Sequence, residues 1–186
     1  GEDVAFTSNS HDGKKVIVAV DSDKNPGTYY LYNVETKELS LLLSQAPWLD
    51  KKPMAVMEPF SFKSRDGLTL NGYLSKPPGK EDAKKLPMVV YLHGGPYEVR
   101  DIWRYNRTVQ ALASRGYAVL QVNFRGSGGY GYDFVKAGYG EWGAKMQDDV
   151  TDATHWAIKE GVADPKRICT YGTSYGGYAA LQGVVR

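Results

Sequence analysis

Gly172-Thr173-Ser174-Tyr175-Gly176 is a G-x-S-x-G pentapeptide, set between the run Arg167-Ile168-Cys169-Thr170-Tyr171 and the stretch Gly177-Tyr178-Ala179-Ala180-Leu181. That order reads as a strand, a sharp turn and a helix, with the serine at the apex: a nucleophile elbow. A serine hydroxyl is a poor nucleophile until a base takes its proton, and a strained turn holds Oγ clear of its own backbone. Glycines at 172 and 176 let strand and helix close on that turn, so that Ser174 can take a φ/ψ most residues avoid. The pentapeptide alone is weak. With 21 glycines in 186 residues, about 0.1 matches arise by chance, and an ordinary Ser/Gly turn is the alternative.

Working outward, Tyr91-Leu92-His93-Gly94-Gly95-Pro96 closes an apolar run from Pro87 to Leu92. Acyl transfer builds negative charge on a carbonyl oxygen, and rigid backbone N–H groups stabilise it best where water is excluded. An HGG loop after one strand and an elbow after another supply two such donors, the amides of Gly95 and Tyr175. His93, placed before two glycines, reads as a brace for its loop rather than as a catalytic base.

Between and before these motifs the pattern changes once, near Pro53 to Pro59. Residues 1–53 hold four short β-prone runs, Val4-Ala5-Phe6, Val16 to Val20, Thr28 to Val34 and Leu39 to Leu43, parted by turn chemistry such as His11-Asp12-Gly13-Lys14 and Asn25-Pro26-Gly27. Four strands in about fifty residues amount to one propeller blade; a meander shielding one face of the next domain fits equally well. Residues 54–186 alternate instead. Strands at Phe60 to Lys63, Leu68 to Leu74, Leu86 to Leu92, Ala118 to Val122 and Arg167 to Tyr171 are interleaved with helical spacing at Tyr105, Val109, Leu112 and at Met146, Val150, Ala153, Ala157. The expected class is α/β, with a mostly parallel sheet and right-handed crossover helices.

From Glu58 to Arg186 the chain resembles the catalytic domain of the prolyl oligopeptidase family of serine peptidases, in its acylaminoacyl-peptidase and dipeptidyl-peptidase-like branch. The resemblance rests on His93-Gly94-Gly95-Pro96, Gly116-Tyr117-Ala118-Val119-Leu120, Asn123-Phe124-Arg125-Gly126-Ser127 with Gly129-Tyr130-Gly131, Asp164-Pro165-Lys166-Arg167-Ile168 and Gly172-Thr173-Ser174-Tyr175-Gly176-Gly177-Tyr178. It implies the N-terminal portion of an α/β-hydrolase fold, preceded by the last blade of a β-propeller. It implies a peptidase acting on short peptides through an acyl-enzyme on Ser174, with the Tyr175 ring also in the wall of the S1 substrate pocket. Members that place a tyrosine hydroxyl in the oxyanion hole carry it at the position of His93, so the backbone of Gly95 is the donor expected here.

The resemblance also exposes an absence. In α/β-hydrolases acid and base come after the nucleophile in the chain, yet twelve residues follow Ser174, and His11, His93 and His155 all precede it. The chain therefore reads as a fragment, inactive alone, that needs the missing C-terminal part or a homo-oligomeric partner to cover the strand before the elbow. A carboxylesterase or lipase shares the elbow and the HGG loop, and a non-catalytic interaction module is a third reading.

Other features exclude more than they suggest. A formal net charge of +2 with scattered lysine pairs gives nucleic acid no footprint. No apolar run reaches bilayer length and no signal-peptide pattern opens the chain, which reads as cytoplasmic, a periplasmic or secreted precursor remaining open. Cys169 reads as a small buried hydrophobe. Gly126 to Gly131 satisfies G-x-G-x-x-G, but Gly138 and Gly140 interrupt the stretch from Tyr132 to Trp142, and a loop near the active-site mouth is the better reading than a dinucleotide site. Asp148, Asp149 and Asp152 imitate a Mg²⁺ cluster but are expected on a solvated helix face. No motif calls for a cofactor or metal. Asn106-Arg107-Thr108 is formally a glycosylation sequon inside an expected helix.

Overall fold

The computed structural model describes residues 1–185, in which the chain forms two sheets. The first is an antiparallel meander of β1 (Asp3–Asn9), β2 (Lys15–Asp21), β3 (Thr28–Asn33) and β4 (Leu39–Ser44), in that spatial order. Its register aligns Phe6, Val18, Tyr30 and Leu41 in one cross-strand row, and Ile17 opposite Leu31 in the next. Side chains alternate between faces along a strand, so both faces of this sheet are apolar. A sheet with one solvated face would alternate apolar with polar. Phe6 and Leu41 are nevertheless 76% and 65% exposed.

The second sheet has the order β5-β6-β8-β7-β9, built from β5 (Met57–Lys63), β6 (Thr69–Ser75), β7 (Leu86–Leu92), β8 (Ala118–Asn123) and β9 (Ala163–Gly172). It is mixed rather than mostly parallel: β5/β6 and β6/β8 run antiparallel, and only β7/β8 and β7/β9 run parallel. The reason is connection length. The short turn at Arg65-Asp66-Gly67 can only reverse the chain, whereas parallel pairs need a crossover of a dozen or more residues. Those crossovers carry α1 (Arg107–Ala113), then α2 (Tyr132–Lys136) and α3 (Lys145–Lys159); α4 (Tyr175–Val185) comes after β9. The core lies between the sheet and α3 and α4, where Met88, Val90, Leu120, Phe124, Met146, Ala153 and Ala179 are fully buried.

Several expectations change at this level. Asn106 is the N-cap of α1, its Oδ1 accepting from the amides of Thr108 and Val109. The five-residue α2 forms in the stretch that Gly138 and Gly140 interrupt and ends before both. Asp149 is not on a solvated face: it is buried on α3 against Arg125, while Asp148 and Asp152 pair with Arg65. Cys169 is exposed rather than buried, because β9 is the edge of the sheet.

A polar joint ties the two sheets. The Gln110 side chain on α1 pairs with both backbone groups of Ala55 and donates to the Asp23 carbonyl, and the Met57 amide donates to Asp23 Oδ2. Arg104 reaches Asp21 at 3.1 Å. Where α1 covers the sheet, Asp101 contributes a carboxyl oxygen that is buried and without a hydrogen-bond partner among the described residues. Burial pushes its pKa up to about 6. The native state therefore favours the protonated acid, a contribution fully present below about pH 4 and lost as pH rises through about 6. Asp101→Asn escapes that loss, so it should match the wild type in stability at pH 4 and exceed it at pH 8, by roughly 1–3 kcal/mol. Denaturant melts at the two pH values check this.

Candidate active site

β9 ends at Gly172 and α4 starts at Tyr175, so the chain reverses over two residues. Ser174 sits at that reversal with φ of +58° and is exposed. A left-handed backbone at a non-glycine residue costs about 1–3 kcal/mol and persists only where the surroundings enforce it. The enforcement is visible. A Cβ on Gly172 would overlap the backbone of Gly176, and one on Gly176 would overlap the Leu92 carbonyl oxygen at the end of β7. Only bare backbone lets the ends of β7 and β9 and the start of α4 press together. The first turn of α4 then closes on the elbow, with the amides of Gly177 and Tyr178 donating to the Ser174 carbonyl.

The HGG loop touches this turn. A Cβ at Gly94 would lie 3.2 Å from the Thr173 carbonyl oxygen and 3.4 Å from Ser174 Cβ. Neither the Gly95 amide nor that of Tyr175, in the helix turn whose N–H groups lack internal acceptors, donates to a backbone carbonyl among the described residues. His93 is buried behind the loop. Its ring stacks on Phe124 at 4.3 Å, Nδ1 donates to the Gly94 carbonyl at 2.7 Å, and Nε2 lies 2.9 Å from Ser127 Oγ. Ser127 Oγ is also 2.7 Å from the Phe124 carbonyl, to which it can donate. Three links need three protons, and a neutral ring plus one hydroxyl carries two. Burial lowers the ring's pKa, so the hydroxyl proton is shared between Nε2 and the Phe124 carbonyl. His93→Ala should free the loop and lower kcat of the active enzyme by about 10²–10³, the size of one lost oxyanion donor, with a smaller change in KM. Steady-state kinetics check it.

The Tyr175 ring is buried, 3% exposed, among Phe124, Trp142 and Tyr178. Burial raises its hydroxyl pKa. The half-exposed aromatics next to it are Trp142 and Tyr178. Nothing in the spacing of the sequence singled out Trp142 or Ser127; Ser127 could have been found as the last residue of Asn123-Phe124-Arg125-Gly126-Ser127. The remaining histidines stand apart. His11 lies in the β1–β2 turn and His155 on α3 beside Trp156 and Asp152. Among the described residues no imidazole or carboxylate hydrogen-bonds to Ser174 Oγ, no three His, Cys, Asp or Glu side chains converge as a metal site, and no helix is long and apolar enough to cross a membrane.

Residues 103–185, which include the elbow, match the profile of the prolyl oligopeptidase family. The chain thus carries a segment of the prolyl oligopeptidase family. It is similar to dipeptidyl aminopeptidase BIII of Pseudoxanthomonas mexicana, with 44% identity over 98% of this chain and 27% of the relative. Among solved structures it resembles the acylaminoacyl peptidase of Pyrococcus horikoshii, with a TM-score of 0.75 and 29% identity over 96% of this chain and 28% of that one. An acylaminoacyl peptidase in complex with Z-Gly-Gly-Phe-chloromethyl ketone gives a TM-score of 0.78 at 30% identity, over 98% and 28% of the two chains. The chain thus spans just over a quarter of these prolyl oligopeptidase-family relatives.

Proposed function

We propose that this chain is the nucleophile-bearing part of a serine peptidase that cleaves short peptides. Ser174 Oγ attacks the scissile carbonyl and forms the acyl-enzyme. The amides of Gly95 and Tyr175 receive the developing oxyanion. The Tyr175 ring backs the wall against which the acyl-side residue of the substrate rests. Acid and base come from sequence outside the chain, so the 186 residues alone are inactive. Residues 54–186 form the first portion of an α/β-hydrolase domain. Residues 1–53 form the last blade of a β-propeller, a reading supported by the two apolar faces of the first sheet, since a blade is covered by a neighbour on each side.

The observation that carries this reading is the exposed, left-handed Ser174 wedged against Gly94. The names of the relatives support peptides over other acyl substrates. The test compares an aminoacyl or dipeptidyl anilide with a short acyl ester on the full-length enzyme. Peptidase action predicts that kcat/KM for the anilide at least equals that for the ester. Turnover of the ester alone assigns the site to a carboxylesterase, and turnover of neither leaves an interaction module. The isolated chain should hydrolyse neither.

A further inference from the structure

Loop 124–131 holds none of the groups assigned to bond-making, yet the segment carrying Gly95 hangs from it. Three consecutive residues make the attachment. The Gly126 carbonyl accepts from the Glu98 amide at 3.0 Å, Ser127 Oγ lies 2.9 Å from His93 Nε2, and the Gly128 amide donates to the Val99 carbonyl at 3.1 Å. Immediately before them stands Arg125, 4% exposed.

Its guanidinium is held by two carboxylates from distant parts of the chain. Nε and Nη2 donate to the two oxygens of Asp149 on α3 at 2.9 and 2.7 Å; Nη1 and Nη2 donate to those of Asp66, in the β5–β6 turn, at 2.8 and 2.9 Å. The Arg125 amide adds a fifth bond, to Asp149 Oδ2 at 2.8 Å. Side chain and backbone of one residue are thus fixed to α3 together. Arg125 holds the Asp66 carboxyl well below the usual carboxylate range. Bidentate, charge-assisted pairs of this kind specify orientation as well as energy, and a lysine, with one point charge, cannot make both.

We propose that Arg125 is a positioning residue of the oxyanion site. Anchored to α3 and to the β5–β6 turn, it fixes where loop 124–128 sits, and that loop sets the place of His93 to Val99 and of the Gly95 amide. The proposal rests on the roles assigned to Ser174 and Gly95 in peptide cleavage. A misplacement of about 1 Å at such a donor costs on the order of 10²-fold in rate, while ground-state contacts elsewhere are untouched.

The test uses the full-length enzyme, with a substrate-like peptide aldehyde and the matching peptide alcohol as probes. On the aldehyde, Ser174 Oγ bonds to the carbonyl carbon, the π pair moves onto oxygen, and the hydroxyl proton passes to the enzyme's base. The product needs the oxyanion donors; the alcohol binds without them. Arg125→Lys should lower kcat by about 10- to 100-fold with KM within about threefold, and should weaken the aldehyde by a similar factor while sparing the alcohol. Asp66→Asn leaves the Asp149 pair in place and gives a smaller loss of the same selectivity, which decides the matter if the lysine variant does not fold. Aldehyde and alcohol weakened together in either folded variant, or both unchanged, would overturn the proposal. Hydrolysis surviving Ser174→Ala would instead remove the reading on which it rests.

Discussion

Ser174→Ala in the full-length enzyme should lower kcat by about 10⁴- to 10⁶-fold with KM close to that of the parent, the pattern of losing the group that makes the covalent bond while binding contacts remain. The hydroxyl forms no side-chain hydrogen bond among the described residues, so its removal breaks no buried network. Alanine at φ of +58° is as strained as serine, and the substitution should leave stability within about 0.5 kcal/mol, as for other exposed positions. Unchanged melting with near-complete loss of peptide hydrolysis is the joint expectation. Residual turnover above about one part in a thousand would transfer the nucleophile's role elsewhere.

The second large effect is structural and has its control one residue away. Gly176→Ala would drive a methyl into the Leu92 carbonyl oxygen, which belongs to backbone at the end of β7 and cannot swing aside. Alanine gains about 1 kcal/mol over glycine in a helix interior, but the collision should exceed that several-fold, for a net loss of about 3 kcal/mol or more. At Gly177 the nearest contact for the same methyl is 3.4 Å, an ordinary one. Gly177→Ala should therefore be neutral or stabilising by up to about 1 kcal/mol. Chemical denaturation of the pair checks both signs. A similar outcome for the two would mean that strand end and helix start do not meet as tightly as these distances require.

Much of this was legible because the motifs encode backbone geometry. G-x-S-x-G announces a turn that only glycines can pack, and β-branched runs with helical spacing between them announce crossovers. What the sequence concealed depends on contacts between distant segments. Asp149 was expected with Asp148 and Asp152 on a polar face, yet it stands three residues after Met146 and four before Ala153, on the flank of the apolar stripe, where Arg125, 24 residues earlier in the chain, pairs with it in the interior. The antiparallel β5/β6 pair follows from its short turn, but the β6/β8 pair was hidden, because it forms over a separation that no local pattern reports. Cys169 followed the habit of central strands, while β9 lies at the rim. For the candidate site, the serine and the HGG loop could be read in advance. The Ser127–His93 brace could not, since it links residues 34 apart.

The bare rim of β9 has a consequence for handling. Its outward N–H and C=O groups, beside the exposed Tyr171 and Leu181, form a template onto which any extended segment can dock. Capture of a foreign strand on that rim competes with correct folding. Yield should fall steeply with concentration, and a holdase chaperone, by keeping that strip occupied, should recover it.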